Sequence, residues 1–250
     1  MKPWEKPPRI YPAEKAGGAP RPSVTEVLSI LDKSGPFMGW ALKECTNYLD
    51  LHQQEIIDTL DNLDMEGWHQ ILKDARSAHR HVSDKAKDVG HRVHEIVHDF
   101  GQGLPVVLDD EPDQVKRGVQ AFLSWGERSG LIFTEGEQTV WSDDLDTAGT
   151  LDALGLIGGT LAVLDWKTSR AIYPEYFVQA SVYAHCYEEM HKQRVGSVWI
   201  VRFDKETGAP EEREVKDRAA HVDAFRAMRK AWQWKQDCVG RGVSLHSAIV

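Results

Sequence analysis

The residues with the most chemical content lie in the segment Gly149–Thr168, GTLDALGLIGGTLAVLDWKT. Gly158-Gly159 separates two strand-like runs. Such a dipeptide favours a two-residue hairpin, because both central positions need positive φ. The turn fixes the register: Ile157 faces Thr160, Leu156 faces Leu161, and paired residue numbers sum to 317. Asp152 is then expected opposite Asp165, and Thr150 opposite Lys167. Directly opposed residues have Cβ atoms roughly 4.5–5.5 Å apart, where like charges destabilise a sheet unless something compensates. Asp165 and Lys167 are two apart and project from one sheet face. Two carboxylates and an ammonium should therefore converge near the open end of the hairpin. A hard divalent cation would relieve the repulsion, and oxygen ligands suit Mg²⁺ or Mn²⁺. The bland alternative is a solvent-facing strand end with casual charges. Against it, Leu154, Leu156, Leu161 and Val163 share that face and read as buried.

A second constellation competes. His94-Glu95-Ile96-Val97-His98 spells HExxH. On a helix its histidines share one face and could bind zinc, with Glu95 as base, in a zinc metalloprotease. The longer form of that motif needs a histidine at position 104, which is Leu104. Glu127 as a distant third ligand has nothing to single it out. The protease reading also leaves the hairpin unexplained. Cys45, Cys186 and Cys238 are far apart and form no CxxC pair, so they read as free thiols rather than a zinc ribbon.

The elements that must position these residues follow from punctuation and periodicity. Six of the eleven prolines fall in residues 1–22, which read as an extended, poorly ordered arm. Ser23 with Glu26 has the form of a capping box and starts a helix. Helical periodicity continues with breaks through 37–75, then over 83–99 and 112–129, where Gly130 closes it. Strands are expected at 131–142, 147–157 and 160–168. Pro174 opens a helix to about His191, Val195–Phe203 is an apolar strand, Glu212–Lys216 a short edge strand, and 217–238 the last helix. Three regions result: the arm 1–22, a helical lobe 23–130 that contributes the helix of His94, and an α/β core 131–250.

In this order the residues resemble the RecB-like branch of the PD-(D/E)XK nucleases. That branch carries a GxxD strand, a strand ending in (D/E)xK and a helix with QxxxY. Here these are Gly149-Thr150-Leu151-Asp152, Asp165-Trp166-Lys167 and Gln179-Ala180-Ser181-Val182-Tyr183. Gly90-His91-Arg92-Val93-His94 matches its GxxxH helix, and Glu137 matches an acidic residue on the preceding strand. The opening PSVTEVLS with Trp40 is similar to phage and mitochondrial genome-maintenance exonucleases of the branch. Glu214-Val215-Lys216 is a decoy, lacking the partner strand and following helix. The resemblance implies a restriction-endonuclease-like core, with a central mixed sheet flanked by helices and a helical N-terminal lobe. It implies His94, Asp152, Asp165 and the Trp166 carbonyl as metal ligands, Glu137 as a further acidic ligand, and Lys167 as the residue orienting or deprotonating the attacking water. Gln179 and Tyr183, four apart on one helix face, would contact Lys167 or the DNA backbone. The implied activity is Mg²⁺- or Mn²⁺-dependent exonuclease action on single-stranded DNA or free ends. Members with an iron–sulfur cluster use four cysteines; this chain has three, unclustered, so no cluster is expected.

Bulk properties bound the partners. The chain has 250 residues, 41% hydrophobic, enough for a sizeable core. A net charge of −9 argues against a protein that coats nucleic acid generally, but not against a nuclease with a local phosphate-binding patch. Lys73, Arg76, Arg80, Lys85, Lys87 and Arg92 form one basic stretch, which a solvated helix face would equally explain. No apolar run approaches a membrane span, and the N-terminus lacks a secretory apolar stretch, so no membrane partner and a cytoplasmic setting (bacterial or phage-infected) are expected. Without GxxxxGK[ST], any helicase or recombination motor would be a partner. A non-catalytic DNA-binding protein that keeps the nuclease fold is the third alternative.

Overall fold

The computed structural model describes residues 9–240, so the first eight residues of the proline arm and the last ten of the expected core lie outside the described residues. In chain order the elements are β1 (Ile10–Tyr11), a 3-10 turn (Ala13–Lys15), β2 (Arg21–Pro22), α1 (Val24–Leu28), α2 (Ser34–Leu51), α3 (Gln53–Asp61) and α4 (Met65–Gly101). They continue as α5 (Asp113–Ser129), β3 (Ile132–Glu135), β4 (Gln138–Ser142), β5 (Thr147–Leu151), β6 (Ala153–Ile157) and β7 (Thr160–Lys167). The last are α6 (Pro174–His191), β8 (Ser197–Phe203), β9 (Pro210–Glu214) and α7 (Arg218–Gly240). The chain divides into two compact units, one of residues 31–91 and one of the residues on either side of them. No helix among the described residues is long and apolar enough to cross a membrane.

The larger unit is the α/β layer structure expected from the sequence. A five-stranded mixed sheet has the order β3-β6-β7-β8-β9, with β7 and β8 parallel and every other pair antiparallel. The parallel pair needs a crossover, and α6 supplies it. Alternation along β7 splits its side chains between two cores. Val163 packs with Leu154, Ile200 and the buried residues of α6 and α7. Trp166, on the other face, meets Phe122 and Trp125 of α5 and Phe203 of β8 at ring-centroid distances of 5.5–5.7 Å. Helices therefore flank the sheet on both faces, the arrangement a parallel pair requires. The chain does not divide at residue 130 as the lobe boundary supposed. The aromatic stripe of α5 is part of the sheet's own core, so this helix belongs with the strands.

The described part of the arm also has structure. β1 and β2 pair antiparallel, and Arg21 is 5% exposed. Its guanidinium donates to the carbonyls of Ala16 and Ser142 and pairs with Asp143. The prolines pointed to an open arm; a single buried arginine with three acceptors fastens it instead. Half of the capping box forms: Ser23 Oγ accepts from the Glu26 amide at 3.0 Å. The Glu26 carboxylate turns away to the Arg9 amide and Trp232 Nε1, and the Ser23 amide donates to the Arg9 carbonyl.

The smaller unit holds α2, α3 and the first part of α4. Its Lys73, Arg76, Arg80, Lys85 and Lys87 are exposed, and Lys87 pairs with Asp84 at 2.9 Å.

Candidate active site

The Gly158-Gly159 hairpin has the register expected of it. Its glycines sit at φ of 57° and 75°, and the ladder runs from Ile157↔Thr160 to Ala153↔Leu164. There the ladder stops, because the strand expected over 147–157 is two strands. β5 leaves the main sheet to pair with β4, so Thr150 lies opposite Thr139 and not opposite Lys167. Asp152 occupies the break between β5 and β6, one position beyond the last rung. The break strips the next rung of its backbone acceptor, and Asp152 replaces it: the Trp166 amide donates to Asp152 Oδ2 at 2.8 Å. The carboxylates thus still approach one another, through a side chain at a strand switch rather than through a ladder pair.

Asp165 is 1% exposed. Its Oδ2 lies 2.6 Å from Lys167 Nζ, yet that oxygen makes no aligned hydrogen bond. Burial pushes the Asp165 carboxyl up to about 6; the Lys167 charge opposes the rise and Asp152 adds to it. Burial also raises Asp152, opposed by Lys167 and the Trp166 amide and reinforced by Glu137. Burial lowers Lys167, but Asp165 and Asp152 outweigh it and hold the side chain as an ammonium.

α6 braces the lysine. Lys167 Nζ donates to Gln179 Oε1 at 2.9 Å, and Gln179 Nε2 donates to the Tyr183 hydroxyl at 3.1 Å. Pro174 at the first turn and the i, i+4 spacing aim both side chains at the sheet. Tyr183 explains the glycine of GxxD, since a Cβ on Gly149 would lie 2.4 Å from its ring. Burial raises the Tyr183 phenol far above its ordinary range, and it stays neutral. On the remaining side, His94 Nδ1 is 4.0 Å from Asp152 Oδ1. Glu137 precedes β4 in an exposed position, close enough to act on Asp152 by its charge.

Donor chemistry here suits a hard cation through its carboxylates. Asp165 Oδ2 is buried with the Lys167 ammonium 2.6 Å away as its one close cation, and both acids carry raised proton affinity. Yet among the described residues no three His, Cys, Asp or Glu side chains close into a ready metal cage. The HExxH residues diverge. Glu95 is exposed and pairs with Arg92 at 3.1 Å. His98 is turned against Gly136, where an added Cβ would lie 2.7 Å from its Nδ1.

Two neighbours of the site were not singled out by sequence. Tyr11 donates to or accepts from Thr150 Oγ1 at 2.9 Å, and its place in the proline-rich arm hid it. The Tyr176 ring lies 4.8 Å below Lys167 Nζ. Its signal was available: 176, 179 and 183 follow the i, i+3, i+7 stripe of one helix face.

No family model matches the chain, and no curated protein matches it. Among solved structures it is similar to an alkaline exonuclease, LHK-Exo, from Laribacter hongkongensis. The identity is 14% and the TM-score 0.32, over 61% of this chain and 84% of that one. The same exonuclease in complex with dAMP gives 16% identity and a TM-score of 0.31, over 61% and 85%.

Proposed function

We propose that this protein is a divalent-metal-dependent deoxyribonuclease of the PD-(D/E)XK class, acting as an exonuclease on single-stranded DNA or free ends. The observation that carries the reading is the pair of buried Asp165 with half-buried Lys167 beside Asp152, with Gln179 and Tyr183 fixing the lysine. Setting a second, half-buried acid beside the half-buried lysine that a buried acid already pairs is costly, and a structural ion pair would need only one acid. Asp152 and Asp165, with the Trp166 carbonyl and His94, would hold Mg²⁺ or Mn²⁺, and Glu137 would add charge at the rim. Such a cation supplies a water of lowered pKa and stabilises charge on phosphoryl oxygens. Lys167, kept as an ammonium, would neutralise the phosphate and orient the attacking water. Gln179 and Tyr183 would hold Lys167 rather than touch the DNA backbone. A cytoplasmic setting and a helicase or recombination partner rest on the sequence reading alone. The HExxH protease gains no support, because Glu95 faces solvent.

The test is incubation with end-labelled single- and double-stranded DNA, linear and circular, with and without Mg²⁺ or Mn²⁺. Release of mononucleotides from linear strands only is expected. Efficient cutting of closed circles would remove the exonuclease part, and no cleavage with any divalent metal would leave a non-catalytic DNA binder. Lys167→Ala should lower turnover by about 10²–10³-fold, the cost of losing one aimed electrostatic group.

A further inference from the structure

The catalytic strand does not end in open solvent. Beyond Lys167 the chain runs through residues 168–173 to α6, and this loop is braced. Ser169 Oγ donates to the Ala171 carbonyl at 2.8 Å, and the Ser169 carbonyl accepts from Arg202 at 3.4 Å. The loop delivers Tyr173 against Tyr176, with centroids 5.6 Å apart and rings at 77°. Tyr176 in turn lies under Lys167 Nζ. Tyr173 is 40% exposed. It stands at the N-cap of α6, where its carbonyl accepts from the Tyr176 amide at 3.0 Å but its side chain makes no capping hydrogen bond. In the same loop Arg170 is exposed, with no ion-pair partner among the described residues.

We infer that Tyr173, in T-shaped contact with Tyr176 beside Lys167, is a stacking platform for one unpaired nucleobase of a single-stranded DNA substrate, with Arg170 reaching the adjoining phosphate. The choice of ligand rests on the nuclease reading. The order along the loop is that of a nucleotide strand: a charged group for phosphate at Lys167, a second cation at Arg170, and a ring face for a base. Base–aromatic stacking tolerates any sequence, because every base has a π face. A base pair inside a duplex has both faces covered by its neighbours and cannot use the platform; only unpaired bases and the terminal pair of an end leave a face open. The platform therefore favours unpaired strands and ends over duplex interiors. Because Tyr176 and the braced loop hold Tyr173 before any ligand arrives, little ordering entropy is spent on capture.

Fluorescence anisotropy on the full chain tests this, without divalent cation so that nothing is cut. The probes are a labelled oligothymidylate and an abasic strand of the same length. Wild type should bind the oligothymidylate more tightly than the abasic strand. Tyr173→Ala should weaken oligothymidylate binding by about 5- to 150-fold, the range of one lost base–aromatic stack, and leave abasic binding unchanged. Tyr173→Phe should restore the preference, since the ring and not the hydroxyl carries it. Equal loss on both probes, no loss on either, or no preference in wild type would overturn the inference. Circular dichroism checks folding; the side chain caps nothing, so the helix does not depend on it. Cleavage of the same strands with Mg²⁺ is scored separately. Base-dependent binding without cleavage would sink the nuclease reading while the stacking site stands.

Discussion

At the scale of single residues, the site is a balance of charges that burial has made expensive. Asp165 titrates near 6, above an ordinary aspartate, so its proton is held more tightly in the folded chain than in the unfolded one. Protonation therefore favours the cation-free fold at low pH, and that contribution is lost as pH rises from about 4 to about 6. A cation needs the ionised form, so its affinity should fall as pH drops through about 6. Calorimetric titration with Mn²⁺ at pH 5 and pH 7.5 measures this, and equal affinities would remove Asp165 from the ligand set. At saturating Mg²⁺ or Mn²⁺, about 100 times Kd, the melting temperature should rise by about 5–10 °C. Asp165→Asn should abolish that rise. Gly149 carries a different kind of constraint. Gly149→Ala drives a methyl into the Tyr183 ring, and the strain should cost about 1–3 kcal/mol by denaturant unfolding. Because Tyr183 holds Gln179 and Gln179 holds Lys167, activity should fall further than stability accounts for.

Among the elements, the hairpin and α6 were legible because their signals are local. Gly158-Gly159 dictates its own turn, and Pro174 its own helix start. The strand break at Asp152 was not legible. It depends on β4 competing for β5, a pairing between segments whose alternation suits either sheet. The buried arginine of the arm was hidden for a similar reason: its acceptors lie more than a hundred residues away, on Ser142 and Asp143. Spacing alone was enough to anticipate that Asp165, Lys167, Gln179 and Tyr183 lie together, and their side chains are in contact in that order. The helix of His94 offers the clearest separation of readings. His94→Ala should severely reduce DNA cleavage or shift its metal requirement. His98→Ala should cost at most about 10–100-fold, the range for a residue acting behind a ligand. Glu95→Gln should leave substantial activity, because its side chain faces solvent and Arg92. Equal and complete loss in all three, with peptide hydrolysis by the wild type, would revive the zinc protease.

The whole molecule carries a net charge of −9, which sets how it can meet a polyanion. With few cations at the site, Lys167 and Arg170 foremost, binding should release few counterions. Each phosphate contact contributes roughly −0.7 to the slope of log affinity against log salt for a single strand, so the slope should lie between about −1 and −3. Affinity measured from about 50 to 200 mM salt gives it directly. A slope steeper than about −5 would bring a larger basic surface into play, and the exposed Lys73, Arg76 and Arg80 of the smaller unit are the first to neutralise. A shallow slope would fit a protein that takes hold of a strand by its end and its bases, without coating it.

The amide of Trp166 gives this centre a natural reporter. Its proton points at Asp152 Oδ2, one of the oxygens a cation would claim. Any ion arriving there must draw electron density away from that oxygen and lengthen or tilt the bond. In an ¹⁵N–¹H spectrum the Trp166 backbone resonance should move with occupancy, upfield in the proton dimension as the hydrogen bond weakens. One peak, identified once, would follow loading in the intact protein with no substrate present and no side chain altered.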